Sequence, residues 1–167
     1  LVLLHIKDQV GYDKFHPDSD RIYRITTKVT NRQGNTFKLA TTPLPLANTL
    51  SNDYDLLDQA VRIYPAGSKH VSVAGKKLNV HSAFTDAAFF NVFGFTLQSG
   101  SAGNALTEPN SIVLSKTTAE RFFGNSPAVG QILSFEELGD FRVTGIMEKP
   151  AGKSHIDFDA YISMSSV

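Results

Sequence analysis

The stretch EPNSIVLSKTTAERFFGNSPAVG, Glu108 to Gly130, spells out a strand, a helix and a stop in which each residue type has a structural task. Glu108-Pro109-Asn110 interrupts whatever precedes it, because proline fixes φ and lacks an N–H donor while asparagine closes turns with its side chain. Ser111-Ile112-Val113-Leu114 then reads as a short buried strand. A helix follows, capped either by Ser115 or by Thr117 with Glu120 completing a capping box. Gly124, just past Phe122 and Phe123, supplies the left-handed residue that ends it. None of these tasks is catalytic.

Upstream, short strands alternate with glycine turns: His70 to Ala74, a Gly75-Lys76 turn, then Lys77 to Ser82. Phe84, Phe89, Phe90, Phe93 and Phe95 follow in close succession. Thr85 or Asp86 can cap a helical turn over Ala87 to Phe93, with Gly94 as its stop. That density of phenylalanine tempts a ligand-cage reading, but aromatics bury the largest area per residue, so core packing is preferred. Downstream, a Leu138-Gly139-Asp140 turn leads into a strand from Phe141 to Glu148, and Ser154 to Val167 reads as an extended segment.

The first part of the chain has another character. Asp20 to Thr30 alternates in the manner of a strand, Asn31 to Asn35 is a polar turn with its glycine, and Thr36 to Ala40 returns as the partner strand. Thr42-Pro43 offers an N-cap with proline at the first helical position. Leu46 and Leu50 form the apolar stripe of a short helix that ends near Tyr54, and Gln59 to Tyr64 is again a strand. Hairpin, helix and strand in this order make an α+β unit with the helix on one sheet face.

Composition bounds the function. With 167 residues, 41% hydrophobic and 19% charged, the chain is one domain or two small lobes and can bury a core without staples. Net charge is zero, and sixteen basic residues lie scattered among sixteen acids, which argues against nucleic acid. The absence of cysteine removes disulfides, thiol nucleophiles and thiolate metal sites. No run of eighteen apolar residues is present. Leu1 to Ile6 begins abruptly, either as the first element of the core or as the outer end of a transmembrane helix.

Two clusters deserve a metal hypothesis and fail it on geometry. His16-Pro17-Asp18-Ser19-Asp20 lacks the central glycine and distal acid of a calcium loop, and is better read as a connector tied down by Asp13, His16 and Asp20. His155, Asp157 and Asp159 would share one strand face, but neighbours on one face stand too far apart, at roughly 3.3 Å per residue, to meet one ion. There is no G-x-S-x-G, no H-E-x-x-H and no phosphate loop. The expected catalytic, metal and cofactor-binding residues are therefore none.

Five stretches carry a family resemblance: YDKFHPDSDRIYRI (Tyr12 to Ile25), ATTPLPLANTL (Ala40 to Leu50), FTDAAFFNVFGFTLQSG (Phe84 to Gly100), the quoted run from Glu108, and FRVTGIMEKP (Phe141 to Pro150). In their order and spacing the chain resembles the periplasmic core domain of macrolide-exporter-type ABC transporter permeases, the MacB and FtsX-like group. The resemblance implies an α+β fold with a mixed-sheet membrane-proximal lobe and an inserted β-rich lobe. Residues 1–11 would be the end of a transmembrane helix or a linker, 12–65 the first half of the membrane-proximal lobe, 66–150 the inserted lobe, and 151–167 the start of a return to the first lobe, truncated before its second half. One departure is Asp53-Tyr54-Asp55-Leu56-Leu57, where the family has a Pro-Glu-Val-like turn.

The same resemblance implies a non-enzymatic domain of the bacterial inner membrane, facing the periplasm or the outer surface. Its implied partners are a separate ABC ATPase subunit, a second permease copy or paralogue, and a periplasmic adaptor. Within it, Tyr12, Asp13, Phe15 and His16 would form the junction that transmits helix motion, Pro43, Pro45 and Leu46 would fix the first helix, and Phe122, Phe123 and Gly124 would anchor the second. The competing readings are a freestanding envelope module that binds glycan or peptide, and a metal-dependent hydrolase built on His155, Asp157 and Asp159.

Overall fold

A computed structural model describes residues 13, 15–55, 57–150 and 152–167. They fall into two compact units: Asp20–Ala60, and Val61–Val167 together with the described residues up to Ser19.

The smaller unit holds strand β1 (Thr27–Thr30), strand β2 (Thr36–Leu39) and helix α1 (Leu46–Asp53). The expected hairpin is present, but its first strand is shorter than the alternation from Asp20 predicts. Only Thr27 to Thr30 finds a partner, in the antiparallel register Thr27↔Leu39 to Thr30↔Thr36. The turn closes on the Asn31 side chain, whose Oδ1 accepts from the backbone N–H groups of Gln33 (3.0 Å) and Asn35 (2.9 Å). Helix α1 corrects the reading of Thr42 as cap. It starts after Pro45 with no side-chain cap, because a helix begun at Pro43 would need Leu44 in the α region, which the proline that follows it disfavours. Its end at Tyr54 is as expected. None of the described residues between Asp20 and Ala60 is buried.

The larger unit is built on β3 (Ile63–Val73), β4 (Lys76–Thr85), β5 (Leu97–Ser99), β6 (Ser111–Ser115), β7 (Ile132–Phe135), β8 (Gly139–Met147) and β9 (Ala160–Ser163), with helices α2 (Phe89–Phe93) and α3 (Lys116–Phe123) and a final 3-10 turn at Met164–Ser166. The strands order as β5-β8-β6-β9-β4-β3-β7, and β7 also bonds to β8, so six of the seven close on themselves with β5 outside. Pairing is parallel for β4 with β9 and β6 with β8, and antiparallel elsewhere. The expected α+β class with a mixed sheet is what the structure has.

Local sequence explains most of these elements. Ala74 and Gly75 both take positive φ (46° and 81°), the two-residue geometry that suits the twist of a hairpin, and this places the β3–β4 turn one residue before the predicted one. Strand β3 begins at Ile63 and runs to Val73 with a shift of register against β4 between Pro65 and Gly67, joining what read as two strands. Ser115 caps α3 by accepting from the Thr118 N–H (3.3 Å), which decides between the two capping candidates. Gly124 ends α3 as expected and donates to the Glu120 carbonyl (2.8 Å), but with φ 62° and ψ −122° it has positive φ without the left-handed helical ψ expected of it. Lys76 adds a cation at this helix end, donating from Nζ to the Phe122 carbonyl (2.8 Å).

Helix α2 starts at Phe89 and has no side-chain cap. Both expected caps are engaged with Arg62 instead. The Asp86 carboxylate accepts from the Arg62 N–H (2.7 Å), Nε (3.0 Å) and Nη2 (2.5 Å), and the Thr85 hydroxyl donates to the Arg62 carbonyl (2.8 Å). Gly94, with φ 67°, ends the helix as predicted.

Strand β9 is the element the pattern missed. What read as an extended tail contributes Ala160 to Ser163, fully buried, to the middle of the sheet between β4 and β6. Side chains alternate across it. Ala160 and Ile162 join Ile112, Leu114 and Val143 in one core, while Tyr161 joins Val113, Phe89 and Phe90 in the other. The phenylalanine cluster is packing, as preferred: Phe89 stacks on Phe95 at 5.3 Å and lies 4.8 Å from the Tyr161 ring.

Candidate functional site

The predicted transmission residues gather around a link between the start of the described chain and two distant segments. Asp13 adopts φ 58°, which aspartate tolerates better than most residues, and its N–H donates to the Lys153 carbonyl (2.9 Å). Its carboxylate accepts from the Ser154 hydroxyl (2.7 Å) and the His155 N–H (3.1 Å), and pairs with His155 Nδ1 (2.6 Å). Ser154 is held in turn by the Ile156 N–H (3.0 Å). Burial pushes the Asp13 carboxyl up, but the hydrogen bonds from Ser154 and from the His155 ring and backbone outweigh it and hold the group below its usual range.

His16 is buried under the same link. Its Nδ1 lies 2.6 Å from the Phe93 carbonyl, which can only accept, so that nitrogen carries the hydrogen, and Nε2 lies 3.4 Å from Asp13 Oδ1. Around the imidazole stand Phe15 at 4.3 Å, Phe93 at 5.4 Å and Phe95 at 5.7 Å. Two glycines permit the approach. A Cβ at Gly94 would run into the Pro17 ring, and one at Gly152 would come within 3.0 Å of Phe15. Asp13 and residues 15–17 are therefore fastened to the end of α2 and to residues 152–156.

The structure thus brings Asp13, Phe15 and His16 together, while Tyr12 lies outside the described residues. Pro43, Pro45 and Leu46 precede and open α1 in the smaller unit. Phe122 is buried, Phe123 half-buried against the same core, and their rings lie 6.0 Å apart at the end of α3. Sequence reasoning did not foresee Ser154, Phe93, Gly94 or Gly152 as members of the junction. It weighed His155 only as a metal ligand, because nothing local pairs it with an aspartate 142 residues away.

The metal-hydrolase reading finds no support in the geometry. His155, Asp157 and Asp159 precede β9 and form no strand face. Asp159 Oδ2 accepts the His81 N–H (2.9 Å) and Oδ1 the Thr118 hydroxyl (3.2 Å), a brace between β4 and α3. Among the described residues no cluster of three metal-ligating side chains forms. Arg62 and Asp86 are a mutual clamp, in which the hydrogen bonds to Asp86 raise the guanidinium further above its already high value. A shallow depression of about 420 Å³ opens between Phe90 and Asn91 on α2 and Leu97, Gly100 and Ala102 beside β5, and no ionisable side chain lines it. No described helix is long and apolar enough to cross a membrane.

Comparison with known proteins gives three findings. The family model for the MacB-like periplasmic core domain matches residues 6–167, as the five sequence stretches predicted. Among solved structures, the chain superposes with a TM-score of 0.79 on a domain of a putative permease protein from Porphyromonas gingivalis, at 19% identity over 91% of this chain and 66% of that one. The periplasmic region of MacB from Actinobacillus actinomycetemcomitans gives 0.58 at 21% identity, over 72% of this chain and 54% of that one. The extracellular domain of the noncanonic ABC-type transporter YknZ from Gram-positive bacteria gives 0.55 at 18% identity, over 71% and 60%. At these identities the likeness is one of fold, and the chain spans between 54% and 66% of the length of these structures. No curated protein matches it.

Proposed function

The chain belongs to the family of MacB-like periplasmic core domains, and from that premise we propose that it is the extracytoplasmic domain of an ABC transporter permease subunit, converting ATP-driven motion of membrane helices into export or handling of an envelope substrate. In this reading ATP is bound by a separate cytoplasmic subunit. The domain works against a second permease copy or a paralogue, with a periplasmic adaptor as a further partner, on the outer side of the bacterial inner membrane.

The observation that carries the proposal is the fastening of Asp13 and residues 15–17 onto α2 and residues 152–156. A lever needs a stiff connection between the segment that is pushed and the body that moves, because coupling travels through packed elements with discrete arrangements. Buried His16, its aromatic surround and the Asp13 clamp supply such a connection across more than a hundred residues of sequence. Pro43, Pro45 and Leu46 then set the start of α1, and Phe122, Phe123 and Gly124 seat α3 on the core.

We also propose that β1, β2 and α1 are the first half of the membrane-proximal lobe, assigned to residues 12–65 beside an inserted lobe at 66–150, and that chain beyond the return segment 151–167 covers them. Tyr23, Phe37, Leu39 and Tyr54 are each 45% to 81% exposed in a unit with no buried residue among those described, and the similar solved structures are longer than this chain.

The test uses the full permease with its ATPase. His16→Ala should lower transport-coupled ATP turnover at least tenfold while leaving basal turnover and membrane level unchanged, and His16→Asn, which keeps a donor for the Phe93 carbonyl, should restore part of the coupling. Unchanged coupling in His16→Ala would refute the lever. The freestanding envelope module would be selected instead if the 167-residue chain alone, secreted without membrane helices, restored function to a deletion strain.

A further inference from the structure

Charge is distributed unevenly in the smaller unit. From Arg21 to Asn52 the chain has five cations, Arg21, Arg24, Lys28, Arg32 and Lys38, and no acid, although the whole chain is neutral. Arg21 pairs with Asp58 at 2.5 Å, whereas Arg24, Lys28, Arg32 and Lys38 are exposed and form no ion pair among the described residues.

The hairpin then sorts them by face. Lys28 is directly opposite Lys38, on the face that carries the Thr30–Thr36 hydroxyl pair (3.1 Å), while Val29 is opposite Phe37 on the other face with Leu39. Arg24 Nη2 donates to the Ala40 carbonyl (3.2 Å), two residues beyond Lys38, and Arg32 sits in the turn at the far end. Like charges directly across a ladder are destabilising. Both strands are edges of a two-stranded sheet, so a lysine on each guards its edge against pairing with another chain, but placing the two directly opposite leaves their charges unrelieved. An anionic surface laid against that face would relieve the repulsion.

We propose that the Lys28–Lys38 face of the β1–β2 hairpin, with Arg24 and Arg32, docks on the headgroups of anionic phospholipids. Each lysine or arginine held at such a surface raises affinity about fivefold, so the four together supply roughly 600-fold. The choice of a bilayer over another polyanion rests on the permease reading, which puts this domain beside a membrane.

Flotation of the 167-residue chain with phosphatidylcholine vesicles, with and without phosphatidylglycerol, tests this directly. Binding should require phosphatidylglycerol, weaken with salt, and fall about 25-fold in Lys28→Gln/Lys38→Gln. Arg24→Gln/Arg32→Gln, outside the ladder, should cost as much, and circular dichroism should show both variants folded. Lys116→Gln/Lys149→Gln makes the same change in net charge in the other unit and should bind as the parent does. Four results would overturn the proposal: equal binding to pure phosphatidylcholine, which would mean apolar insertion; equal loss in the Lys116/Lys149 control; no vesicle binding but a salt-sensitive self-association that the lysine pair controls; or no vesicle binding but lysine-dependent binding of an oligonucleotide. Each of these leaves the permease reading standing, since that is judged by coupled ATP turnover.

Discussion

Two hairpins in this protein begin from equally sound local instructions and end differently. β3–β4 turns on Ala74-Gly75 with both residues at positive φ, and β1–β2 turns on an asparagine that satisfies two backbone donors. The first is flanked by β7 and β9 and buries Val71, Val80 and Ala83 completely. The second is a two-stranded sheet by itself, with Val29, Phe37 and Leu39 41% to 52% exposed. Turn chemistry and alternation are sufficient to draw a hairpin. Lateral strands and a second layer turn it into core, and an isolated two-stranded ribbon is marginal in water.

The sharpest way to break this comparison is to truncate one apolar residue in each region. Ile162→Ala, at the buried centre of the sheet, should cost about 2–5 kcal/mol in urea unfolding, and Phe37→Ala in the same chain less than about 0.5 kcal/mol. Equal losses would mean that the hairpin is already covered in the isolated chain.

Next in size is a pair of glycines. Gly94→Ala combines positive φ with a collision against Pro17 and should cost about 2–4 kcal/mol, whereas Gly75→Ala has positive φ and open space and should cost about 1–2 kcal/mol. The difference between them isolates the contact that fastens the junction to α2. If the two melt alike, Pro17 is not seated there. Ser115→Ala removes the α3 cap and should cost about 1 kcal/mol by thermal denaturation, with no change in the hairpin unit.

The smallest effect is a pH dependence. Folding holds the Asp13 carboxyl below its ordinary value of 3.8, so the ionised form is the one that folding favours. Its contribution is complete above that ordinary value and is lost as pH falls through the lower folded value. Asp13→Asn keeps a residue that tolerates φ 58° but loses the carboxylate. Its Tm should lie below the parent's at neutral pH, and the gap should close as pH falls below 3.8 and through the lower folded value. A gap that persists into acid would show that the clamp does not depend on ionisation.

Much of the fold was legible because its signals are local. Ser111 to Gly124 needed only a proline break, an apolar run, a capping serine and a glycine, and each marks its boundary, although Gly124 stops the helix with ψ −122° and not in the left-handed helical conformation expected of it. Gly94 was legible for the same reason. Failures came where a side chain had two possible employers. Asp86 and Thr85 are good caps by type, yet Arg62 claims both, and no window around residue 86 contains residue 62. Thr42 failed as a cap because the second proline, two residues after the first, outweighs the first. At the junction, Asp13 and His16 were readable as partners in a connector, but Ser154 and His155 were not, since the bonds joining them to Asp13 span 141 and 142 residues.

By itself the sequence determined the family, the α+β class and the boundaries of capped elements, because five ordered motifs and short-range rules of φ, capping and turn closure act within a few residues. Only the tertiary structure decided that Ala160 to Ser163 is the central strand, that six strands close on themselves, and that Asp13 answers to His155. A strand of four residues has no periodicity long enough to announce its neighbours. Its place is chosen by the backbone hydrogen bonds and apolar faces that β4 and β6 leave open on either side.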